Sequence, residues 1–168
     1  MAIVYLNTKQ IIMVKITSFC FFLLGLILFS SNVSAQTNRF SVGTHLEWSM
    51  EAPSYSKLYS INGKYDLSDR QAVQAQFGLG TYDIIYFGAD YLYNVFLFNK
   101  KPSVFLAAGL GYEAIRGTKA NDIIINAQIG LEYEIHKFSP FVGYKPKYYF
   151  EAEGIDPSTI MIGVRYRL

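Results

Sequence analysis

The strongest constraint on the fold is an alternation of apolar and polar residues, with a period of two, that runs from Phe40 to Leu168. Because successive side chains of a strand point to opposite faces, this alternation predicts β-strands, and no helix is expected after the first 35 residues. In the segment 159–168, every second residue is apolar: Ile160, Ile162, Val164, Tyr166 and Leu168. Turn residues divide the pattern into eight predicted strands, 40–50, 57–65, 71–81, 84–97, 103–114, 122–135, 138–150 and 159–168.

The first 35 residues are predicted to be a cleaved signal peptide. Lys15 precedes an apolar run, 16–29, and small residues follow it as far as Ala35. A run of about 14 residues is short against the roughly 20 that a spanning helix needs, which favours cleavage before Gln36 over a membrane anchor. Met13 would be a more ordinary signal start than the first residue. The chain is therefore divided into a signal peptide, 1–35, and one domain, 36–168.

Charge and cysteine content exclude several classes of function. The chain has 15 Lys and Arg residues against 13 Asp and Glu residues, and Lys9 and Lys15 belong to the predicted signal peptide. The remaining domain is close to neutral, so no nucleic-acid partner is expected. The single cysteine, Cys20, also lies in the signal peptide. Disulfide and thiol chemistry are therefore excluded for the domain.

Two features indicate that the apolar faces of the strands contact lipid and not a protein core. These faces hold no charged residue, as expected where a charge costs about 2–4 kcal/mol at the bilayer midplane. If both ends of the barrel face the periplasm, their aromatic residues fall into two belts, one near the outer rim and one near the inner rim, as bilayers select. The outer belt is Trp48, Tyr59, Tyr112, Tyr148 and Phe150, and the inner belt is Phe40, Tyr65, Tyr93, Tyr133, Phe138 and Tyr166. An open strand edge in hydrocarbon would leave backbone amides unpaired, so the sheet must close.

The charged strand residues fall on the opposite face, together with many glycines. They are five acids and five bases, which predicts a narrow interior where charges neutralise one another: Glu47, Lys64, Asp90, Glu113, Glu132, Glu134, Lys145, Lys147, Arg165 and Arg167. Glu132, Glu134, Arg165 and Arg167 are predicted to form an ion-pair cluster toward the inner end. Eight strands leave a lumen that side chains can fill, so a plugged interior is favoured over a pore.

Over residues 40–168 this pattern resembles the small eight-stranded outer-membrane barrels of Gram-negative bacteria, the OmpX and OmpA-barrel type. The most specific match is Tyr166-Arg167-Leu168, which resembles the terminal signal that the barrel-insertion machinery reads in this family. Leu168 replaces the more common Phe. Pro140 and Pro146 also depart from the family pattern, and they predict a bulge or distortion in the seventh strand.

The resemblance implies an all-β fold, an eight-stranded antiparallel up-and-down transmembrane β-barrel located in the outer membrane. Outer-membrane lipids and, during assembly, the barrel-insertion machinery are the expected partners, and a monomer is expected. Three functions remain open. The leading hypothesis is a structural or interaction role at the cell envelope. The alternatives are a narrow porin-like conduit or binder for a small molecule, and a secreted lipocalin-like carrier.

Catalytic and metal sites are not expected. His45, Glu47 and Ser49 share the inward face of the first strand, as a base, an orienting carboxylate and a nucleophile would. However, His45 and Ser49 would lie roughly 13 Å apart at about 3.3 Å per residue, too far for a direct pair. The acids Glu151, Glu153 and Asp156 are interpreted as a solvated loop with at most a weak calcium contact. We therefore expect no enzyme activity, no cofactor and no metal site.

Overall fold

The computed structural model describes residues 39–50, 56–97 and 102–168, and the predicted signal peptide with its cleavage site lies outside these ranges. The described residues form ten strands: β1 Phe40–Ser49, β2 Lys57–Asp66, β3 Gln71–Gly80, β4 Ile84–Leu97, β5 Pro102–Ile115, β6 Asn121–Tyr133, β7 Phe138–Tyr144, β8 Lys147–Tyr149, β9 Gly154–Asp156 and β10 Thr159–Arg167. A 3-10 turn, Thr81–Asp83, joins β3 to β4. Within these ranges, no helix is long and apolar enough to cross a membrane.

The strands form one closed antiparallel barrel. Each of β1 to β6 pairs with the next strand along the chain, and β10 pairs with β1 to close the sheet. The seventh strand of the barrel consists of β7 and β8, which both pair with β6, and the eighth consists of β9 and β10. The predicted eight-stranded up-and-down barrel is therefore confirmed.

The seventh and eighth strands are each interrupted once. The break in the seventh falls at Lys145–Pro146, whereas Pro140 keeps a regular register opposite Val164. A bulge of one extra residue lies between β9 and β10, because Asp156 pairs with Lys147 but Ile160 pairs with Tyr144. The Tyr144 hydroxyl donates a hydrogen bond to the Pro157 carbonyl at this bulge. The strand β9 was not predicted, because the sequence pattern indicates a loop there.

A second irregularity corrects the predicted outward face of β4. The register shifts between Asn94 and Phe96, so that Asn94 pairs with Phe105 and Phe96 pairs with Val104. Phe96 is 57% exposed and occupies the outward position that the alternation assigns to Val95. The prediction for Val95 is wrong because the extra residue of the bulge shifts the alternation, so that Phe96 takes the outward position opposite Val104.

The exterior of the barrel is apolar and the interior is mostly polar. All eleven predicted belt residues are exposed, by 37% to 61%. Among the described residues, 21 polar or charged side chains are buried, against nine hydrophobic ones. This distribution is the inverse of that of a water-soluble protein, and it fits a barrel whose outer surface contacts lipid.

The interior also holds apolar side chains that the sequence analysis did not assign to it. They form two clusters, and the first consists of Ala72, Leu92, Phe105, Ala107, Phe141 and Met161. The second consists of Leu58, Tyr86 and Ile124. Charged groups and glycines therefore account for only part of the filling.

Candidate functional site

The most deeply buried charge cluster surrounds Glu47, on the inward face of β1; we call Glu47, His45, Lys145 and Lys147 the Glu47 cluster. Glu47 is 1% exposed. The Lys145 ammonium donates to Glu47 Oε1 at 2.5 Å, and the Lys147 ammonium lies 2.7 Å from Oε2. His45 Nε2 lies 3.2 Å from Oε1, and His45 Nδ1 lies 2.9 Å from the Asn62 amide nitrogen. This carboxylate is therefore surrounded by nitrogen atoms on three sides.

The two lysines reach the same carboxylate because the Pro146 break leaves the register with β6 unchanged. Tyr144 pairs with Ile129 before the break and Tyr148 pairs with Ile125 after it, so Lys145 and Lys147 both point inward. The sequence analysis placed both lysines in the interior but did not predict that Glu47 is their partner.

Tyr86 completes this end of the interior, and the sequence analysis did not identify it. Its side chain is fully buried, and the ammonium groups of Lys145 and Lys147 lie 5.0 and 5.2 Å from its ring centre, as in cation–π contacts. Gly88 and Gly111 pair directly across β4 and β5, and a Cβ on either would lie 2.5 Å from the tyrosine hydroxyl. The paired glycines are the sequence signal for a large side chain in this space.

The middle of the barrel carries a hydrogen-bonded layer around Asp90. The Gln76 amide donates to Asp90 Oδ2 at 2.8 Å, and the Asn126 amide donates to Oδ1 at 3.0 Å. Gln128 donates in turn to the Asn126 carbonyl oxygen at 3.0 Å. In the described part of the chain, neither Asp90 nor Glu113 forms an ion pair. Two of the ten predicted interior charges therefore lie outside the ion-pair network.

The second ion-pair cluster lies toward the inner end; we call Glu132, Lys64, Arg165 and Gln74 the Glu132 cluster. Glu132 Oε2 lies 3.2 Å from the Lys64 ammonium and 3.1 Å from Arg165 Nη1. Arg165, 1% exposed, also donates to the Gln74 carbonyl oxygen at 2.7 Å, and its guanidinium carbon lies 3.9 Å from the centre of the Phe141 ring. Side chains from β2, β3, β6 and β10 therefore meet across the barrel.

The four residues predicted to form one inner cluster instead form two separate pairs. Arg165 pairs with Glu132 in the buried cluster, and Arg167 pairs with Glu134 at 2.7 Å near the rim. The side chains of the second pair are 31% and 32% exposed. The structure therefore separates a solvated pair from a buried one, a distinction that the sequence pattern does not make.

Several of the residues considered for catalysis and for calcium binding are engaged by other protein groups. The base and acid considered for catalysis, His45 and Glu47, are 6% and 1% exposed and are bonded to each other and to buried neighbours. Asp156 accepts hydrogen bonds from the backbone and hydroxyl of Ser158 and from the Thr159 hydroxyl, each at 2.9 Å. Across the described ranges, no group of three or more His, Cys, Asp or Glu residues could hold a metal ion.

Comparisons with known proteins give matches in structure but not in sequence. No family model and no curated protein matches the chain. The N-terminal β-barrel domain of Pseudomonas aeruginosa OprF is 15% identical, with a TM-score of 0.63, over 79% of this chain and 100% of that one. The designed barrel TMB2.3 is 15% identical, with a TM-score of 0.59, over 81% and 98% of the two chains.

Another structure from the de novo design of transmembrane β-barrels is 14% identical, with a TM-score of 0.57, and it aligns over 81% of this chain and 100% of its own. Likeness at these identities reports on the fold. The observed closure, the apolar exterior and these matches agree. The chain therefore has the fold of the small eight-stranded outer-membrane β-barrels, the OmpX and OmpA-barrel type that its sequence pattern predicts.

Proposed function

We propose that this protein is an integral protein of the Gram-negative outer membrane, with a structural or interaction role at the cell envelope and a closed interior. The observation that carries the proposal is the pair of buried ion clusters inside an apolar barrel. Lys64 on β2 contacts Glu132 on β6, and Glu47 on β1 contacts Lys145 beyond β7. The first contact joins opposite walls of the barrel and the second joins walls two strands apart, so both cross the space where a solute path would run.

The packing around the clusters also supports a closed interior. A Cβ on Gly130 would lie 2.5 Å from the Phe105 ring, and a Cβ on Gly143 would lie 2.5 Å from the Met161 methyl group. Both glycines therefore give space to large neighbours inside the barrel. A lumen filled in this way by charged, polar and apolar side chains is what eight strands accommodate. A role without catalysis and without a cofactor is part of the same proposal.

The alternatives make different demands on the same surfaces. A conduit needs a continuous path of water through the barrel. The ion pairs that cross the interior block such a path. A secreted carrier needs a polar exterior, whereas Ile61, Leu131 and Ile162 are 57% to 61% exposed on the outer surface of the barrel. An exterior of this kind requires lipid or detergent around it.

Two measurements test the proposal. The protein is expected in the outer-membrane fraction, with a folded form that migrates differently from the heated form in electrophoresis. In planar bilayers, the purified barrel is expected to give no steady channels. Recovery from the soluble periplasm would favour the carrier, and steady channels in the unmodified protein would favour the conduit.

Replacing Arg165 and Arg167 together by Gln is expected to lower stability without opening a channel. Arg165 is buried against Glu132, so its loss removes a charged hydrogen-bonded partner and costs about 2 kcal/mol. Glu132 keeps its contact with Lys64, which limits the loss. Urea unfolding of the barrel in vesicles measures the change, and bilayer recordings measure conductance.

The single change Arg167→Gln is the matched control for the double variant. Its pair with Glu134 is partly exposed, so we expect a loss of no more than about 1 kcal/mol. If the single and double variants were equally stable, Arg165 would contribute nothing to the fold. If the double variant conducted, the Glu132 cluster would be a barrier to flow as well as a structural contact.

A further inference from the structure

A groove with a volume of about 830 Å³ crosses the outer surface of the barrel from β10 over β1 and β2 to β3 and β4. Its floor is low because small residues lie side by side there. Val42 pairs with Gly63, and Gly63 pairs with Ala75. An aromatic pair stands at each end: the Phe77 and Phe87 rings are 4.9 Å apart, and the Phe138 and Tyr166 rings are 5.2 Å apart.

The groove begins at the inner aromatic belt and rises into the apolar band. Phe138 and Tyr166, both in the inner belt, pair across β7 and β10. From there the lining continues upward through Val164, Thr44 and Ile61. Its exposed side chains are almost entirely apolar, and the hydroxyls of Thr44 and Tyr166 are their only polar groups, so the groove offers no charged group to a headgroup or to a soluble ligand along its length. An occupant of this part must be a hydrocarbon chain or another apolar surface.

Lys137 provides a cation beside the inner end of the groove. Lys137 is exposed in the turn between β6 and β7, and its ammonium lies 5.6 Å from the centre of the Tyr166 ring. No carboxylate of the described residues pairs with it. This turn lies next to the start of the first strand and the end of the last strand. The Arg167 amide donates to the Lys137 carbonyl, and the Leu168 amide donates to the Phe40 carbonyl.

We propose that this groove binds one phospholipid of the inner leaflet, with an acyl chain along the Gly63–Ala75 floor and the phosphate at Lys137. The apolar groove matches the acyl chain of such a lipid, and Lys137 at its inner end matches the phosphate. The two features follow one another in the same order as the hydrocarbon and the headgroups of a bilayer. This inference rests on the outer-membrane location proposed above and on an orientation in which Phe40, Leu168 and the neighbouring Lys137 turn face the periplasm. It adds a specific lipid site to that function.

The test is lipid retention by the folded barrel. The mature protein is reconstituted in vesicles of phosphatidylethanolamine and phosphatidylglycerol and then extracted in mild detergent. Native mass spectrometry measures the mass of the protein with any bound lipid. The unmodified barrel is expected to retain one phospholipid. Ala75→Phe fills the floor and is expected to abolish retention, whereas Ala127→Phe makes the same change at an exposed alanine outside the groove and is expected to preserve it.

Lys137→Gln is the second variant, and it leaves the barrel wall unchanged. It is expected to weaken retention of phosphatidylglycerol about fivefold, as the loss of one cation near a charged surface implies. Equal retention by the unmodified protein, Ala75→Phe and Lys137→Gln would overturn the proposal. So would a dimer that Ala75→Phe dissociates, because the groove would then hold a second copy of the chain. A barrel that fails to insert into the vesicles would overturn both this inference and the proposed function, whereas insertion without selective retention would overturn this inference alone.

Discussion

Replacing Glu47 by Gln is expected to destabilise the folded barrel by about 3–5 kcal/mol, because it leaves buried charges without a partner. Lys145 and Lys147 are almost completely buried, and both ammonium groups lie within 2.7 Å of a Glu47 oxygen. The Gln side chain has the same size, so the variant creates no cavity and the loss reports on charge. Reversible urea unfolding from lipid vesicles gives the free energy of unfolding of both proteins.

Glu134→Gln is the control for this change. It removes the same charge from the half-exposed pair with Arg167, and a cost of no more than about 1 kcal/mol is expected. Adding Lys145→Met and Lys147→Met to Glu47→Gln should recover much of the loss, since an apolar replacement of a whole buried ion cluster is often neutral. Equal losses for Glu47→Gln and Glu134→Gln would mean that water reaches Glu47.

The barrel could be predicted from the sequence because its physical requirements repeat at every second residue. In the proposed membrane location, lipid excludes charge from one face of each strand and the charged residues lie on the other, so parity alone separates Ile160 and Ile162 from Arg165 and Arg167. The hydrocarbon core then demands closure, which gives the topology without any long-range information. The bounds of β4 also agree with the prediction, because turn residues flank its long alternation.

Parity fails where a strand gains a residue, and it gives little information on packing where a strand has two apolar faces. Val95, Phe96 and Leu97 are apolar in succession, so the alternation gives no sign of the bulge that turns Phe96 outward. Phe105 and Ile124 are inward residues in strands whose outward residues are also apolar, and both are fully buried. Alternation with the exposed neighbours gives their direction, but without a polar contrast it does not show that these side chains pack together in the interior.

The partners of the interior charges could not be predicted, because they depend on the stagger between strands that are not neighbours. Glu47 meets Lys145 across 98 residues, and Lys64 meets Glu132 across 68. The alternation predicts that all four side chains point inward, but it does not predict their heights along the barrel axis. That height follows from the shear of the closed barrel, which the hydrogen-bonded register shows and the residue pattern does not.

Replacing Ile162 by Arg is expected to cost about 2–4 kcal/mol in a lipid bilayer, because the charge would lie near the midplane. Ile162 is 60% exposed on the outer surface, where it pairs with Leu46 and Val142. It lies between Tyr166 of the inner belt and Ile160, which pairs with Trp48 of the outer belt. Urea unfolding from vesicles measures the cost.

Ile155→Arg separates the effect of lipid from the effect of exposure. Ile155 is 63% exposed, as Ile162 is, but it pairs with Tyr148 of the outer belt and therefore lies near the interface. A charge there should cost no more than about 1 kcal/mol. If water surrounded the barrel, both changes would lie on a solvated surface and each would shift stability by no more than about 0.5 kcal/mol. A large loss for Ile162→Arg with a small one for Ile155→Arg therefore requires hydrocarbon around the middle of the barrel, and two equally small losses would exclude it.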